Sequence, residues 1–140
     1  MTLHIIARGK IGRSPEAELV DRYVQRIGWD VKMTELPDTG GKVPPAPPVT
    51  KIVTLDEKGR QLGSVELARQ IGDWRDQGIR EIRFLIGATN GLTAEERASA
   101  DLSIAFGNAT WPHLMVRAML AEQLWRARSI LANHPYHREG

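Results

Sequence analysis

Short apolar runs alternate along the chain with longer stretches of helical spacing, and glycine or proline stands at most changes of period. Residues 3–7 read as a strand, because a brief apolar run fits a buried extended segment. It leads into Arg8-Gly9-Lys10-Ile11-Gly12-Arg13, a flexible basic loop. Ser14 then caps a helix, with Pro15 at its first position and Glu16 and Glu18 complementing the dipole of its first turn. Leu19, Val20, Tyr23, Val24 and Ile27 line one face of that helix, and Gly28 stops it. Val31, Met33 and Leu36 keep a weaker alternation that predicts a second strand.

Residues 37–50, with Gly40-Gly41 and Pro44-Pro45-Ala46-Pro47-Pro48, can form neither helix nor central strand. An extended crossover and a flexible linker both fit the composition; the crossover is favoured because the residues before Pro37 are too few to fold alone. Beyond it the pattern becomes regular. A strand at 51–55 precedes a helix capped by Ser64, carrying Val65, Leu67, Ala68, Ile71 and Trp74 and ending at Gly78. Residues 82–86 are a strongly apolar strand, Thr93 and Glu96 form a capping box for a short helix, and 102–106 are another strand. Pro112 opens a last helix that runs to about Leu131. Strands alternating with helices predict an α/β layered fold with a mostly parallel sheet.

At 140 residues, 41% of them hydrophobic, the chain suits a single domain spanning 1–140. A formal charge of +2 does not by itself argue for nucleic acid. The arginine bias is more suggestive: only five of the 19 basic side chains are lysines, and guanidinium groups fork onto phosphate and stack on bases. The absence of cysteine excludes disulfides, thiolate metal sites and cysteine nucleophiles. The first apolar run is too short for a signal peptide and no stretch approaches transmembrane length, so a cytoplasmic protein with no membrane partner is expected.

Three successive strands end in glycine-bearing turns: Leu55-Asp56-Glu57-Lys58-Gly59, Gly87-Ala88-Thr89-Asn90-Gly91 and Gly107-Asn108-Ala109-Thr110-Trp111-Pro112. In a parallel sheet these carboxyl ends share one edge, where ligands of open α/β folds bind. None of the turns matches a dinucleotide or Walker fingerprint. The last helix is apolar almost all round in its first half, which predicts burial on two sides. A homodimer interface explains this economically; a central helix in a monomer is the alternative. The chain closes on Asn133-His134-Pro135-Tyr136-His137-Arg138-Glu139-Gly140. Tyr136 offers a stacking face, the histidines exchange protons near neutral pH and Arg138 can fork onto phosphate or carbonyl, a combination suited to handling a nucleobase. No metal site is expected, because His113, His134 and His137 lack zinc spacing and carboxylate partners. No Gly-x-Ser-x-Gly elbow exists either.

At these residues the chain resembles the RlmH family of the SPOUT superfamily, pseudouridine methyltransferases of large-subunit ribosomal RNA. The likeness runs through Ile52-Val53-Thr54-Leu55-Asp56, Phe84-Leu85-Ile86-Gly87, Pro112-His113, Val116-Arg117, Ala121-Glu122-Gln123-Leu124-Trp125-Arg126-Ala127 and the tail His134-Pro135-Tyr136-His137-Arg138-Glu139. It implies an α/β/α layered fold with a C-terminal trefoil knot, which sequence rules would not propose because threaded chains are so rare. It also implies a homodimer, S-adenosylmethionine as cofactor, and a pseudouridine of 23S rRNA in the assembled ribosome as substrate, methylated at ring N3. By motif position the cofactor would lie against Leu55, Gly87, Ala88, Gly107, Asn108, Ala109, Thr110, Trp111 and Pro112. The tail residues Tyr136, His137 and Arg138 would help form the RNA site, and Arg126 with the basic-loop residues Arg8, Lys10 and Arg13 are further candidates for RNA contact, a solvated loop being the alternative for the last three. Two departures stand out: Ala88 occupies a position where the family usually has glycine, and the proline-rich segment replaces a longer one with a helix.

Transfer of methyl from a sulfonium is an in-line displacement, so alignment of donor and acceptor and removal of the imino proton are the needs to be met. Tyr136 is expected to stack on or orient the base, His137 or an oriented water to take the proton, and Arg138, helped by Arg126 or Arg117, to steady carbonyl charge or phosphate. For His113 and Arg117 an architectural role and a functional one are equally open. The competing reading is a ribosome-binding module that keeps the fold without transferring methyl groups.

Overall fold

The computed structural model describes residues 1–133. Nine elements follow one another: β1 (Thr2–Arg8), α1 (Pro15–Ile27), β2 (Asp30–Leu36), β3 (Thr50–Gln61), α2 (Ser64–Asp76), β4 (Glu81–Ile86), α3 (Ala94–Ala98), β5 (Leu102–Ala105) and α4 (His113–Leu131). The strands form one sheet in the order β2-β1-β4-β3-β5, and every pairing is parallel. The α/β layered fold with a parallel sheet is therefore as the sequence pattern implied.

The signals at the helix ends work as expected at α1, where Ser14 Oγ accepts from the Ala17 N–H at 3.1 Å and Gly28 takes the left-handed φ of 79°. At α2 the cap is Gly63, not Ser64. Glu66 Oε1 accepts from the Gly63 N–H at 3.2 Å, and Ser64, now the first helical residue, donates its Oγ–H to Gln123 Oε1 of α4 at 2.7 Å. At α3 both halves of the capping box form between Thr93 and Glu96. β3 runs past residue 55 to Gln61, with a register shift against β5 between Leu55 and Arg60. Gly59 permits that continuation, since a Cβ there would lie 2.6 Å from the Ile104 carbonyl carbon.

One face of the sheet is apolar. Leu3, Ile5, Val53, Ile82, Phe84 and Ile104 pack against Ile27 of α1, Leu67 and Ile71 of α2, and Leu120 and Leu124 of α4. The helix α4 lies between α1 and α2. Ala118 and Ala121 let it approach Val20 of α1, and Gly72 of α2 lets in Leu131, whose Cδ2 would be 2.8 Å from a Cβ at that position. Burial on two sides is thus achieved within the chain, which places a central helix in a domain of this size after all. Its outward stripe still carries Met115, 40% exposed.

The opposite face carries buried polar groups: His4, Arg8, Thr54, Glu81 and Arg83. Residues 37–49 lie across it as an extended segment, and only the short α3 adds helix there, so this layer is thinner than the other. Arg8 donates to the carbonyls of Pro37 at 2.9 Å and Gly40 at 2.6 Å, and its Nε–H donates to Glu96 Oε2 at 3.1 Å. Arg83 donates to Glu81 Oε2 at 2.6 Å and to the carbonyls of Pro44 and Pro45. His4 bonds Thr34 Oγ1 at 2.7 Å and faces Glu81 at 3.4 Å. Burial lowers the His4 pKa from 6.5, against the pull of Glu81. Burial opposes ionisation of Glu81, but the bonds from Arg83 and His4 prevail and hold its carboxyl below its ordinary range.

Candidate active site

The carboxyl ends of β4 and β5 and the middle of β3 between them open into a cavity of about 310 Å³, the lower end of the size of small-ligand sites. Two turns and one strand wall it: Gly87 to Leu92 after β4, Phe106 to Trp111 after β5, and Leu55 to Glu57 within β3, where the expected 55–59 turn is instead continuing strand, with Arg97 of α3 and His113 also on the wall. These walls are tied to one another. Arg97 Nε–H donates to Asp56 Oδ2 at 3.0 Å, Thr110 Oγ–H to Glu57 Oε2 at 2.7 Å, and Gln61 Nε2–H to Asn108 Oδ1. Trp111 Nε1–H donates to the Phe106 carbonyl at 2.9 Å.

The middle turn is the tightest. The Gly91 N–H donates to the Ala88 carbonyl at 2.7 Å, with Thr89 and Asn90 at the tip. A Cβ on Gly87 would stand 2.4 Å from the Gly91 carbonyl carbon and 2.6 Å from the Leu92 nitrogen, so the turn can fold back on β4 only with glycine there. Ala88 needs no such freedom, because its φ is not positive, and its methyl simply forms part of the wall. Main-chain groups exposed at close quarters, with Asp56 and Glu57 on the rim, fit a flat, hydroxyl-bearing and cationic ligand such as S-adenosylmethionine.

Of the nine residues expected at the cofactor, the structure gathers Leu55, Gly87, Ala88, Gly107, Ala109, Thr110 and Trp111 around this cavity. Asn108 is turned to Gln61, and Pro112 is the N-cap of α4. Sequence reasoning did not single out Asp56 and Glu57 of β3 or Arg97 of α3, polar side chains that no local pattern marks as facing the cavity. His113 also joins the wall.

The residues expected on RNA separate. Arg8 is corrected: it is 6% exposed and its guanidinium is spent on Glu96 and on main-chain carbonyls, so it braces the fold. Lys10 is exposed. Arg126 is half-buried and donates to Glu122 Oε1. Tyr136, His137 and Arg138 lie outside the described residues. The basic loop, expected to be flexible, is pinned: the Gly9 N–H donates to the Leu36 carbonyl and the Ile11 N–H to Glu35 Oε2, both at 2.8 Å. Arg117, fully buried, donates to Glu35 Oε2 at 2.5 Å and to the Gly9 carbonyl at 3.1 Å. Burial opposes ionisation of Glu35, but Ile11, Arg117 and nearby Lys10 outweigh it and lower its pKa. Among the described residues no cluster of acids and histidines could hold a metal ion, and no helix is long and apolar enough to cross a membrane.

Comparison with known proteins places this geometry. Residues 1–137 match the family described as predicted SPOUT methyltransferase. The ribosomal RNA large subunit methyltransferase H of Rhizorhabdus wittichii is 66% identical over 140 residues, all of both chains. A probable methylase family protein from Haemophilus influenzae shares the fold, with a TM-score of 0.64 at 12% identity over 98% of this chain and 70% of the other. The SpoU methyltransferase AviRb of Streptomyces viridochromogenes, solved with AdoMet, has a TM-score of 0.53 at 13% identity over 91% of this chain and 57% of its own. Fold and site define a SPOUT methyltransferase, a class that works with S-adenosylmethionine. Within that class the chain belongs to the RlmH family, that of ribosomal RNA large subunit methyltransferase H.

Proposed function

We propose that this chain methylates ring N3 of a pseudouridine in large-subunit ribosomal RNA, late, on the assembled ribosome, in the cytoplasm. The observation that carries the reading is the glycine-built cavity beside the ends of β4 and β5 in a chain with a full-length relative named ribosomal RNA large subunit methyltransferase H. S-adenosylmethionine, when bound, supplies a methyl group activated on a sulfonium. Leu55, Gly87, Ala88, Gly107, Ala109, Thr110 and Trp111 hold it by shape and main-chain polarity, and the carboxylate of Glu57, which no cation among the described residues pairs, favours its positive charge. Tyr136 orients the base, His137 or a water it positions takes the N3 proton, and Arg138 steadies the carbonyl oxygens.

We further propose that the chain is one domain with a threaded C-terminal part, and that it acts as a homodimer. Support for the dimer comes from the groove over α4, between α1 and the β3–α2 connection, where Leu19, Leu62, Phe106, Met115 and Met119 leave an apolar surface.

Titration of S-adenosylmethionine in a calorimeter tests the cofactor site. Saturable binding is expected, weakened roughly tenfold or more in Gly87→Ala, because overpacking a tight site costs about 1–3 kcal/mol. Binding unaffected by the added methyl would contradict the assignment. For the tail, Tyr136→Ala and Arg138→Ala should each lower turnover while cofactor affinity holds; unchanged turnover in both would remove the tail from the mechanism.

A further inference from the structure

The buried Arg117 is unexplained by packing. It is the largest fully buried side chain of the described part, and its Nε has no hydrogen-bond partner among the described residues. A buried guanidinium with an orphaned donor is costly, and an apolar residue in the middle of a packed helix commonly serves stability better. What Arg117 does achieve is geometric. It joins α4 to the Gly9 carbonyl and, through Glu35, to the Ile11 N–H, so both ends of the stretch Gly9-Lys10-Ile11 are fixed. Ile11 also packs into the α1–α4 seam beside Val20 and Ala121. The left-handed Gly9 and Gly12, with φ of 90° and 58°, turn the chain there. Lys10 and Arg13 remain exposed on the held loop.

That loop borders the cavity. A Cβ at Gly9 would lie 3.4 Å from Nε2 of His113, which lines the cavity wall, and 3.1 Å from Asp38 Oδ1. A basic loop fixed in place beside a reaction cleft can meet a phosphate without first ordering itself, which is where preorganisation improves affinity. We propose that Arg117 is a positioning residue: acting through Glu35, it holds the 9–13 loop at the mouth of the cavity so that Lys10 and Arg13 contact phosphates of the substrate RNA. The inference rests on the reading of the chain as an rRNA methyltransferase and extends it to a second RNA contact, separate from the tail.

The test uses the full chain and intact ribosomes, with ribosome affinity measured by co-sedimentation, and cofactor affinity and thermal midpoint measured alongside. Glu35→Gln removes the charge of the strut at a partly exposed site. Ribosome affinity should fall roughly fivefold with cofactor affinity unchanged. The double variant Lys10→Ala/Arg13→Ala should produce a similar loss and flatten the salt dependence by about one unit of slope per phosphate contact removed. Combined with Glu35→Gln it should add little, because strut and charges belong to one device. Unchanged ribosome affinity in Glu35→Gln, multiplying effects in the triple variant, or parallel loss of cofactor affinity would each overturn the proposal. Ribosome binding that behaves as described in a chain that transfers no methyl would instead contradict the methyltransferase reading and leave the loop assignment standing.

Discussion

Leu3, Ile5 and Ala7 of β1 meet the helices, whereas on the same strand Ile6 and Arg8 meet the segment 37–49 and the residues around α3, and His4 bonds Thr34 and Glu81 on that face. The first set is held by area removed from water, and any apolar neighbour of the right volume serves it. On the second, Ile6 and Leu85 form only a small apolar cluster, and the covering segment, which has no ladder of its own, is lashed down by two arginines through five carbonyl contacts at Pro37, Gly40, Gly41, Pro44 and Pro45. Proline suits that arrangement, since it withholds a donor and still offers a carbonyl. The comparison teaches that a crossover without secondary structure can cover a sheet when buried cations satisfy its acceptors, at the cost of needing every partner in place.

The largest break in this comparison is expected from Arg83→Met. It leaves Glu81 buried without its main partner and frees the Pro44 and Pro45 carbonyls, which should cost about 3–5 kcal/mol in chemical denaturation. The double variant Glu81→Leu/Arg83→Met should recover part of that loss, and equal destabilisation by the two would show that the orphaned charge is not the cause. On the helix face, Leu124→Ala should cost about 2–5 kcal/mol through a cavity alone. Limited proteolysis sharpens the contrast: Arg83→Met should speed cleavage within residues 38–49, and Leu124→Ala should not do so selectively.

The smallest effect is a dependence on pH. The pKa of His4 is depressed in the fold, so below 6.5 the unfolded chain takes up a proton that the folded chain resists. Its contribution is fully present above 6.5, falls as pH drops towards the depressed folded value, and then levels off. Glu81, also depressed, contributes above its ordinary 4.5, and that share is lost as pH falls through its folded value. Stability should therefore decline in two stages on acidification, and His4→Asn should remove the upper stage, as urea midpoints between pH 7 and 5 would reveal.

The same contrast explains what was legible in the sequence. The helix face announced itself through period: the strands at Ile5 and Phe84 and the helices ending at Gly28 and Gly78 follow from apolar spacing and glycine. So did two of the three expected glycine turns, those after β4 and β5, which meet at the cavity. The polar face gave no such signal, because nothing local distinguishes an exposed Arg8 from one turned inward onto carbonyls thirty residues away. Extension of β3 past Leu55 was hidden for a related reason, since Lys58, Gly59 and Arg60 are poor strand formers that pair only through the close approach of Ile104. The strut from Arg117 to Glu35 spans 82 positions and no motif marks it.

The most direct test of the account is transfer of labelled methyl from S-adenosylmethionine to intact ribosomes, run beside ribosomes lacking the relevant pseudouridine and beside free ribosomal RNA. Label is predicted on pseudouridine-containing ribosomes alone and should map to N3 of that base. No label on any of the three, by a chain that also fails to bind the cofactor, would contradict the account and favour a ribosome-binding module that keeps the fold without the chemistry.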